Sequence, residues 1–182
     1  MNRIFGKPIV TQEQMRTRIR ELGKQISADY TNKDLILIGV LKGAYCFYAD
    51  LARAIRIPLS VDFIVVKSYG SKAKTTGKVT MLRELTEDIA GRDILLVEDI
   101  VDSGLTVEFL RKALAKRKPK SIKVCTLLSK REGRTTVVAV DYVGFEIPNK
   151  YVVGYGLDYR QKYRNLPYLA VLDVEEEQMP DT

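Results

Sequence analysis

The segment from Val97 to Thr106, VEDIVDSGLT, has side chains whose types and spacing suit the binding of a sugar phosphate. Glu98 and Asp99 follow an apolar run, where carboxylates can accept hydrogen bonds from the paired hydroxyls of a ribose. A third acid, Asp102, lies three residues further on. Capping of the following helix would explain one acid but not three beside a buried run, where unpartnered charge is costly. We therefore expect these acids to meet a ligand.

The second half of this segment has the composition of a phosphate-binding turn. Ser103, Gly104 and Thr106 lie where a helix is predicted to begin, so backbone N–H groups, the positive end of the helix dipole and two hydroxyls can converge on one phosphate. The turn lacks lysine, and neither the G-x-x-x-x-G-K-[ST] loop nor the G-x-G-x-x-G fingerprint occurs in the chain. The segment thus predicts a ribose-phosphate site unlike those of common ATP- or dinucleotide-binding proteins.

Short apolar strands and helices of about a dozen residues alternate around this segment. Thr11 opens a capping box, and apolar residues at helical spacing follow it for about 18 residues. The further elements predicted in chain order are a strand at 35–40, a helix at 44–55, strands at 61–67, 79–85 and 94–97, a helix at 105–116, and strands at 122–128, 142–147 and 151–155. This order predicts an α/β fold with a mostly parallel sheet flanked by helices, in which ligands bind beyond the carboxyl ends of the strands.

Composition narrows the function classes. A length of 182 residues and 46% hydrophobic residues suit one globular domain, and no apolar run is long enough to span a bilayer, so we expect a cytoplasmic protein without membrane contact. The net charge of +7 favours anionic partners. Histidine is absent, so acid–base chemistry must use carboxylates, lysine or tyrosine. Cys46 and Cys125 lack metal-site spacing and are expected to be buried free thiols.

VEDIVDSGLT resembles the phosphoribosyl-diphosphate signature of the type I phosphoribosyltransferases over all ten positions. From about Phe5 to Asp173 the chain resembles the bacterial hypoxanthine (hypoxanthine-guanine) phosphoribosyltransferases. The resemblance implies a twisted, mostly parallel sheet and a single domain over 1–182, with a core at about 30–140. It also implies a small hood formed from about 1–12 and 145–182.

The resemblance assigns roles within the signature. Glu98 and Asp99 would bind the ribose hydroxyls, and Asp102 would face purine N7 as the catalytic acid and base. The 5′-phosphate would be bound by five residues, Asp102, Ser103, Gly104, Leu105 and Thr106.

Further segments would serve the pyrophosphate and a lid. The resemblance assigns Leu41, Lys42 and Gly43 to a pyrophosphate loop with a cis Leu41–Lys42 peptide, and Arg164 to the same group. Ala44 stands where many relatives have a second glycine, which we expect to be tolerated. In the polar stretch 68–78, Ser68 and Tyr69 would close over the site and exclude water from an oxocarbenium-like ribosyl cation.

The purine would be recognised near the C-terminus. The resemblance assigns Lys130 as donor to the exocyclic O6, Tyr151 as the stacking ring, Val152 as a backbone partner of the base edge and Leu157 as packing on the other face. Asp158 would lie near a metal ion and the purine 2-position.

The resemblance also implies a reaction and its partners. 5-Phosphoribosyl 1-diphosphate would react with N9 of hypoxanthine or guanine to give IMP or GMP and pyrophosphate. The cofactor would be Mg²⁺, held mainly by substrate oxygens and waters, with Glu98, Asp99 and Asp158 as nearby protein ligands. The family further suggests a homodimer or homotetramer.

Two other functions stay open at this stage. One is an RNA-binding regulator on the same scaffold, which the basic run RKALAKRKPK at 111–120 permits. Cations at the exposed end of a helix are electrostatically favourable without any ligand, however, so the run by itself does not require nucleic acid. The other is a xanthine-preferring enzyme, which would differ only within the base pocket.

Overall fold

The computed structural model describes residues 4–69 and 78–172 and contains three helices and nine strands within them. The helices are α1 (Gln12–Asp29), α2 (Tyr45–Ala54) and α3 (Leu105–Ala115). The strands are β1 (Ile4–Val10), β2 (Leu35–Leu41), β3 (Ser60–Tyr69), β4 (Lys78–Arg83), β5 (Asp93–Val101), β6 (Ser121–Ser129), β7 (Tyr142–Glu146), β8 (Val152–Val153) and β9 (Leu169–Leu172).

The main sheet has six strands in the order β4-β3-β2-β5-β6-β7. All neighbouring strands run parallel except the β3–β4 pair at one edge, which is antiparallel. The central strands β2 and β5 are buried on both faces, which explains why their sequences are continuous apolar runs. The predicted mostly parallel α/β sheet is therefore confirmed.

Side chains alternate between the two faces of the sheet and build two cores. Leu35 and Leu37 of β2 pack in the cluster that contains α1 and α2, whereas Ile36 and Ile38 pack in the cluster that contains α3. Because both faces are covered, the carboxyl ends of the strands remain the open edge at which a ligand can enter.

Helix α1 begins as the sequence predicts. The Thr11 side chain accepts a hydrogen bond from the Gln14 N–H, and the Gln14 side chain accepts one from the Thr11 N–H, which completes the capping box. The helix then runs for 18 residues and buries Met15, Ile19 and Leu22. Local hydrogen bonding and periodicity agree here, so the prediction is confirmed.

A second, three-stranded sheet in the order β1-β9-β8 joins the two ends of the described chain. The sequence reasoning missed β1 and β9, and it predicted a strand at 151–155 where only Val152–Val153 pair. β1 and β9 are short and form by pairing with each other across more than 150 residues, so no local pattern announces them.

The predicted end of β5 was wrong. The strand continues to Val101, so Glu98 and Asp99 lie within the last residues of the strand rather than after it.

The two cysteines are both free thiols, but Cys125 is buried whereas Cys46 is only half-buried. Within the described ranges, no helix is both long and apolar enough to cross a membrane.

Candidate active site

The acids of β5 are buried where the strand reaches the open edge of the sheet. Glu98 is 4% exposed, and its Oε1 atom has no hydrogen-bond partner. Burial raises the pKa of Glu98 well above its ordinary value, and the charge of neighbouring Asp99 raises it further. A buried carboxylate oxygen without a partner is costly for folding, so its presence in this strand indicates a functional role for Glu98.

Asp99, the neighbour of Glu98, interacts with charged residues from the C-terminal part of the chain. Burial raises the pKa of Asp99 to about 6, although a hydrogen bond from the Ile100 N–H and the charge of Arg164 act in the opposite direction. The Asp158 carboxylate is close enough to raise the same pKa. Residues predicted for ribose, pyrophosphate and metal are thus brought together from β5 and from the loop after β8.

The loop between β2 and α2 packs directly on Asp99. The Leu41–Lys42 peptide is cis, as the resemblance implied. A side chain at Gly43 would overlap the Asp99 carboxylate, and one at Gly156 would overlap the Gly43 carbonyl oxygen. Three segments that are distant in sequence therefore pack closely together here: the Gly43 backbone lies against the Asp99 carboxylate, and the Gly156 backbone lies against Gly43.

Arg164 orders the loop that follows β8. Its guanidinium donates to the Gly156 carbonyl at 2.7 Å and forms an ion pair with Asp158 at 2.7 Å. Asp158 also accepts a hydrogen bond from the Gln161 N–H at 2.7 Å. Arg164 and Asp158 are therefore held as a pair, and a pyrophosphate would compete with the carboxylate for the guanidinium.

The predicted purine residues form a second group. Val152 and Leu157 are buried, and the half-buried Tyr151 ring stands edge-on to Tyr159 with centroids 5.7 Å apart. The Tyr151 hydroxyl donates to the Asp158 carbonyl oxygen at 3.2 Å. Packing thus fixes the orientation of the aromatic ring that we predicted to stack on the base.

Lys130 is buried and lies beside the predicted catalytic acid. Its Nζ is 2.9 Å from Asp102 Oδ2, and the lysine side chain is 9% exposed while that of Asp102 is 48% exposed. A lysine after a strand is ordinarily solvated, and the sequence showed no partner for it. Because about half of the Asp102 side chain stays exposed in this ion pair, a purine could approach Asp102 from solvent, as the sequence predicted.

The turn Asp102–Thr106 leads into α3 as predicted, with Gly104 in a left-handed conformation at the helix N-cap. The loop after Lys130 supports this turn, since the Thr135 and Thr136 N–H groups both donate to the Ser103 carbonyl oxygen. Sequence reasoning missed this support, because it joins residues more than 30 positions apart.

The lid prediction falls largely outside the described residues, which exclude 70–77. The backbones of Ser68 and Tyr69 end β3 and pair with Val79 and Lys78 of β4. The structure describes nothing of their side chains, so their role stays a prediction.

Residues 7–160 match the model of the phosphoribosyl transferase domain family. The match covers more than half of the chain and includes the signature, the loop after β2 and the first part of the loop after β8. The chain therefore belongs to the phosphoribosyltransferase family.

Known relatives make the similarity more specific. The chain is 52% identical over 171 residues to the hypoxanthine-guanine phosphoribosyltransferase of Mycobacterium bovis, an alignment that covers 91% of this chain and 85% of the relative. It is 46% identical over 164 residues to the hypoxanthine phosphoribosyltransferase of Salmonella typhimurium, with 89% and 92% covered. A solved structure of hypoxanthine phosphoribosyltransferase from Staphylococcus aureus superimposes with a TM-score of 0.89 at 39% identity, over 93% of this chain and 92% of that one. Within its family, the chain is thus similar over nearly its whole length to the hypoxanthine and hypoxanthine-guanine phosphoribosyltransferases.

Proposed function

We propose that this chain transfers the 5-phosphoribosyl group of 5-phosphoribosyl 1-diphosphate to N9 of hypoxanthine or guanine, giving IMP or GMP and pyrophosphate. Two observations carry the proposal: Asp99, the Gly43 loop and the Arg164–Asp158 pair converge, and the Lys130–Asp102 pair follows the ends of the neighbouring strands β6 and β5. A sugar diphosphate needs the first group and a 6-oxopurine needs the second.

The residues divide the chemistry between them. Glu98 and Asp99 accept hydrogen bonds from the ribose hydroxyls, and Ser103 to Thr106 bind the 5′-phosphate. Leu41, Lys42, Gly43 and Arg164 bind the departing pyrophosphate. Attack by N9 forms the bond to C1′ as the bond to the pyrophosphate oxygen breaks, with inversion at C1′. The purine N7 proton then passes to the Asp102 carboxylate, while Lys130 donates to O6.

The chemistry of the acids suits a hard divalent cation. Glu98 Oε1 is a buried oxygen without a partner, and Asp99 and Asp158 supply further carboxylate oxygens nearby. No three His, Cys, Asp or Glu side chains converge as one metal group in the described ranges, which suits an ion held mainly by substrate oxygens and waters. We propose Mg²⁺ with Glu98, Asp99 and Asp158 as its nearby protein groups. Bound there, it would neutralise charge on the diphosphate.

Other proposed properties follow from the family. We propose that the three-stranded sheet β1-β9-β8 is part of a hood over the site, that Ser68 and Tyr69 belong to a lid, and that the protein is cytoplasmic. A homodimer or homotetramer is proposed, and light scattering of the purified chain would measure its mass.

The decisive experiment is to incubate the purified protein with hypoxanthine, 5-phosphoribosyl 1-diphosphate and Mg²⁺ and to measure IMP and pyrophosphate. Equal amounts of the two products are expected, and addition of excess chelator should abolish them until Mg²⁺ is restored. Parallel assays with guanine, xanthine and adenine give kcat/KM for each base, with adenine expected to be poor. If no IMP forms from hypoxanthine, the proposal is wrong.

A further inference from the structure

Two loops of the proposed site lie in close backbone contact. The loop 154–166 after β8 carries the groups proposed for the purine and for a metal, and it lies on the loop 41–44 proposed for pyrophosphate. The Gly156 backbone packs on the Gly43 carbonyl oxygen so closely that no Cβ would fit. Two hydrogen bonds between Arg164 and Gly156 stabilise the loop 154–166. The Arg164 guanidinium donates to the Gly156 carbonyl, and the Gly156 N–H donates to the Arg164 carbonyl. A backbone contact of this kind excludes side chains but does not by itself hold the two loops together.

A side-chain bond next to this contact joins the same two loops. The hydroxyl of Tyr155, adjacent to Gly156, donates to the Asp50 carboxylate. Asp50 lies on α2, which begins directly after the loop 41–44 and is tied to it by the hydrogen bond from the Tyr48 N–H to the Ala44 carbonyl at 2.7 Å. The bond therefore runs from the loop after β8 to the helix that carries the pyrophosphate loop.

Both partners are held in place by further contacts. The Tyr155 N–H donates to the Leu166 carbonyl at 2.8 Å, and its ring is half-buried against the core below α2. Burial and the Asp50 carboxylate raise the pKa of Tyr155, so its hydroxyl keeps its proton and remains a donor. Asp50 is also bound by Arg53, one turn further along α2. A hydrogen bond to a charged acceptor between two fixed partners is stronger than a neutral one.

We propose that Asp50 and Tyr155 form a positioning pair, which sets the separation between the pyrophosphate loop and the purine-binding loop without contacting either substrate. This inference rests on the proposed function. The reaction needs N9 of the base and C1′ of the ribose at a near-attack distance while the pyrophosphate is held on the opposite side. Since errors of about 1 Å in such placement can cost about a hundredfold in rate, a bond that fixes the two loops relative to each other acts on turnover.

The test uses four variants of the full chain. Tyr155→Phe and Asp50→Ala each remove the bond, whereas Asp50→Asn keeps an oxygen that can accept it. Tyr48→Phe is the matched control, because it removes another tyrosine hydroxyl bond of α2, the one to the Leu37 carbonyl at 3.0 Å, which does not join α2 to the loop after β8.

We expect kcat to fall about tenfold in Tyr155→Phe and in Asp50→Ala, the size expected for loss of one hydrogen bond to a charged group. The Kd values for IMP alone and for pyrophosphate alone, measured by calorimetry, should stay within about threefold of wild type, since each half of the site stays intact. The double variant should be no slower than the slower single variant, and Asp50→Asn should recover most of the activity. Tyr48→Phe should lower the Tm while keeping kcat.

Unchanged kcat in Tyr155→Phe and Asp50→Ala would overturn the proposal. It would also be overturned if kcat fell together with weaker binding of both IMP and pyrophosphate, and if kcat fell equally in Tyr48→Phe. Amide hydrogen exchange supplies a readout that does not depend on activity. Exchange of the Ala44 and Tyr45 amides should accelerate in Tyr155→Phe but not in Tyr48→Phe, and equal exchange in both variants would also overturn it. If wild type makes no IMP, the proposed function fails, while the exchange result still decides whether the pair positions the loop.

Discussion

Lys130 and Asp102, two groups that the proposed reaction uses, form a direct ion pair. Their polar atoms are 2.9 Å apart, which is about the separation of adjacent hydrogen-bonding atoms on one edge of a purine. Because the lysine is buried and the acid half-exposed, a base can approach Asp102 from solvent while Lys130 remains paired with it. In the proposed reaction, both residues would act on the base without a large rearrangement.

Replacing Asp102 with Asn should separate proton transfer from binding. The amide keeps the shape and can still accept a hydrogen bond from Lys130, but it cannot take a proton, so we expect kcat to fall by about a hundredfold or more. The Kd for 5-phosphoribosyl 1-diphosphate, measured by calorimetry, should change little. Wild-type turnover in a folded Asp102→Asn protein would contradict the acid–base role.

Replacing Lys130 with Ala should weaken base recognition. We expect KM for hypoxanthine and guanine to rise at least about tenfold, since a charged donor to O6 is lost, and discrimination against adenine to fall. Steady-state kinetics with the three bases measure this. Lys116→Ala is the control, because Lys116 is exposed at the end of α3. Equal KM values in the two variants would refute the O6 contact.

Strand β5 illustrates at the scale of an element how function and stability conflict. A buried strand normally contains apolar residues, yet β5 carries Glu98 and Asp99 within its paired length. Burial raises the pKa of both carboxyls, so the protein by itself favours their protonated forms. The acids are therefore best explained by what they bind rather than by what they contribute to folding.

The same shifts predict how stability depends on pH. The pKa of Asp99 in the fold is about 6, above its ordinary value of 3.8, so its favourable contribution is complete below about pH 4 and is lost as the pH rises through 6. Asp99→Asn should then raise the free energy of unfolding of the metal-free protein by about 3 kcal/mol at pH 8 and by much less at pH 4. Urea unfolding at the two pH values measures this. Glu84→Gln is the control, because Glu84 is exposed, and its effect on the free energy of unfolding should be the same at both pH values. An equal effect of Asp99→Asn at the two pH values would contradict the prediction.

The loop after β2 should tolerate change at one position and not at the next. Gly43→Ala would push the Asp99 carboxylate from its place, so we expect kcat/KM to fall about a hundredfold or more. Ala44→Gly removes only a methyl group, and we expect activity within about twofold of wild type, with slightly lower stability because Ala44 is buried at the start of α2. Steady-state kinetics of both variants test this contrast, which a similar loss in each would contradict.

On the scale of the whole molecule, the two sheets have different tasks. The six-stranded sheet carries the signature and the loop after β2, whereas the three-stranded sheet carries Val152 and the start of the loop that holds Asp158. Its central strand β9 pairs with β1 near the N-terminus and with β8 beside the proposed purine site. We therefore expect the placement of the proposed purine-binding residues to depend on β9 and, through it, on β1 near the N-terminus.

A proline in β9 tests this dependence. Val171→Pro removes an N–H from the central strand of the small sheet, where proline is poorly tolerated. We expect Kd for IMP to rise at least about tenfold while the far-ultraviolet circular dichroism of the main sheet and its helices is largely kept. Val171→Thr retains the N–H and serves as the control. Unchanged IMP binding in the proline variant would show that the small sheet does not place the base.

The basic run at 111–120 is largely accounted for within the fold. Arg111 donates to the Ile122 and Ala139 carbonyls, Arg117 to the Glu87 carbonyl, and Lys112 pairs with Glu108. These contacts give Arg111, Lys112 and Arg117 structural roles, so the basic run does not by itself require a nucleic-acid partner.

Local sequence was sufficient for those features that local physics determines. The α1 capping box, the apolar runs of β2 and β5 and the turn before α3 each lie within a few residues, and their period and turn chemistry predicted the parallel α/β fold. The signature and its resemblance to a known family likewise came from ten consecutive residues.

Tertiary structure alone decided which distant groups meet. The pairing of β1 with β9, the Lys130–Asp102 ion pair, the contact of Gly43 with Asp99 and the bond from Tyr155 to Asp50 all join residues at least 28 positions apart. Their geometry depends on strand order, on burial and on the close approach of backbones, which one-dimensional periodicity does not encode. The sequence by itself therefore determined the class of fold and the kind of ligand, and packing determined how the parts of the site are held against one another.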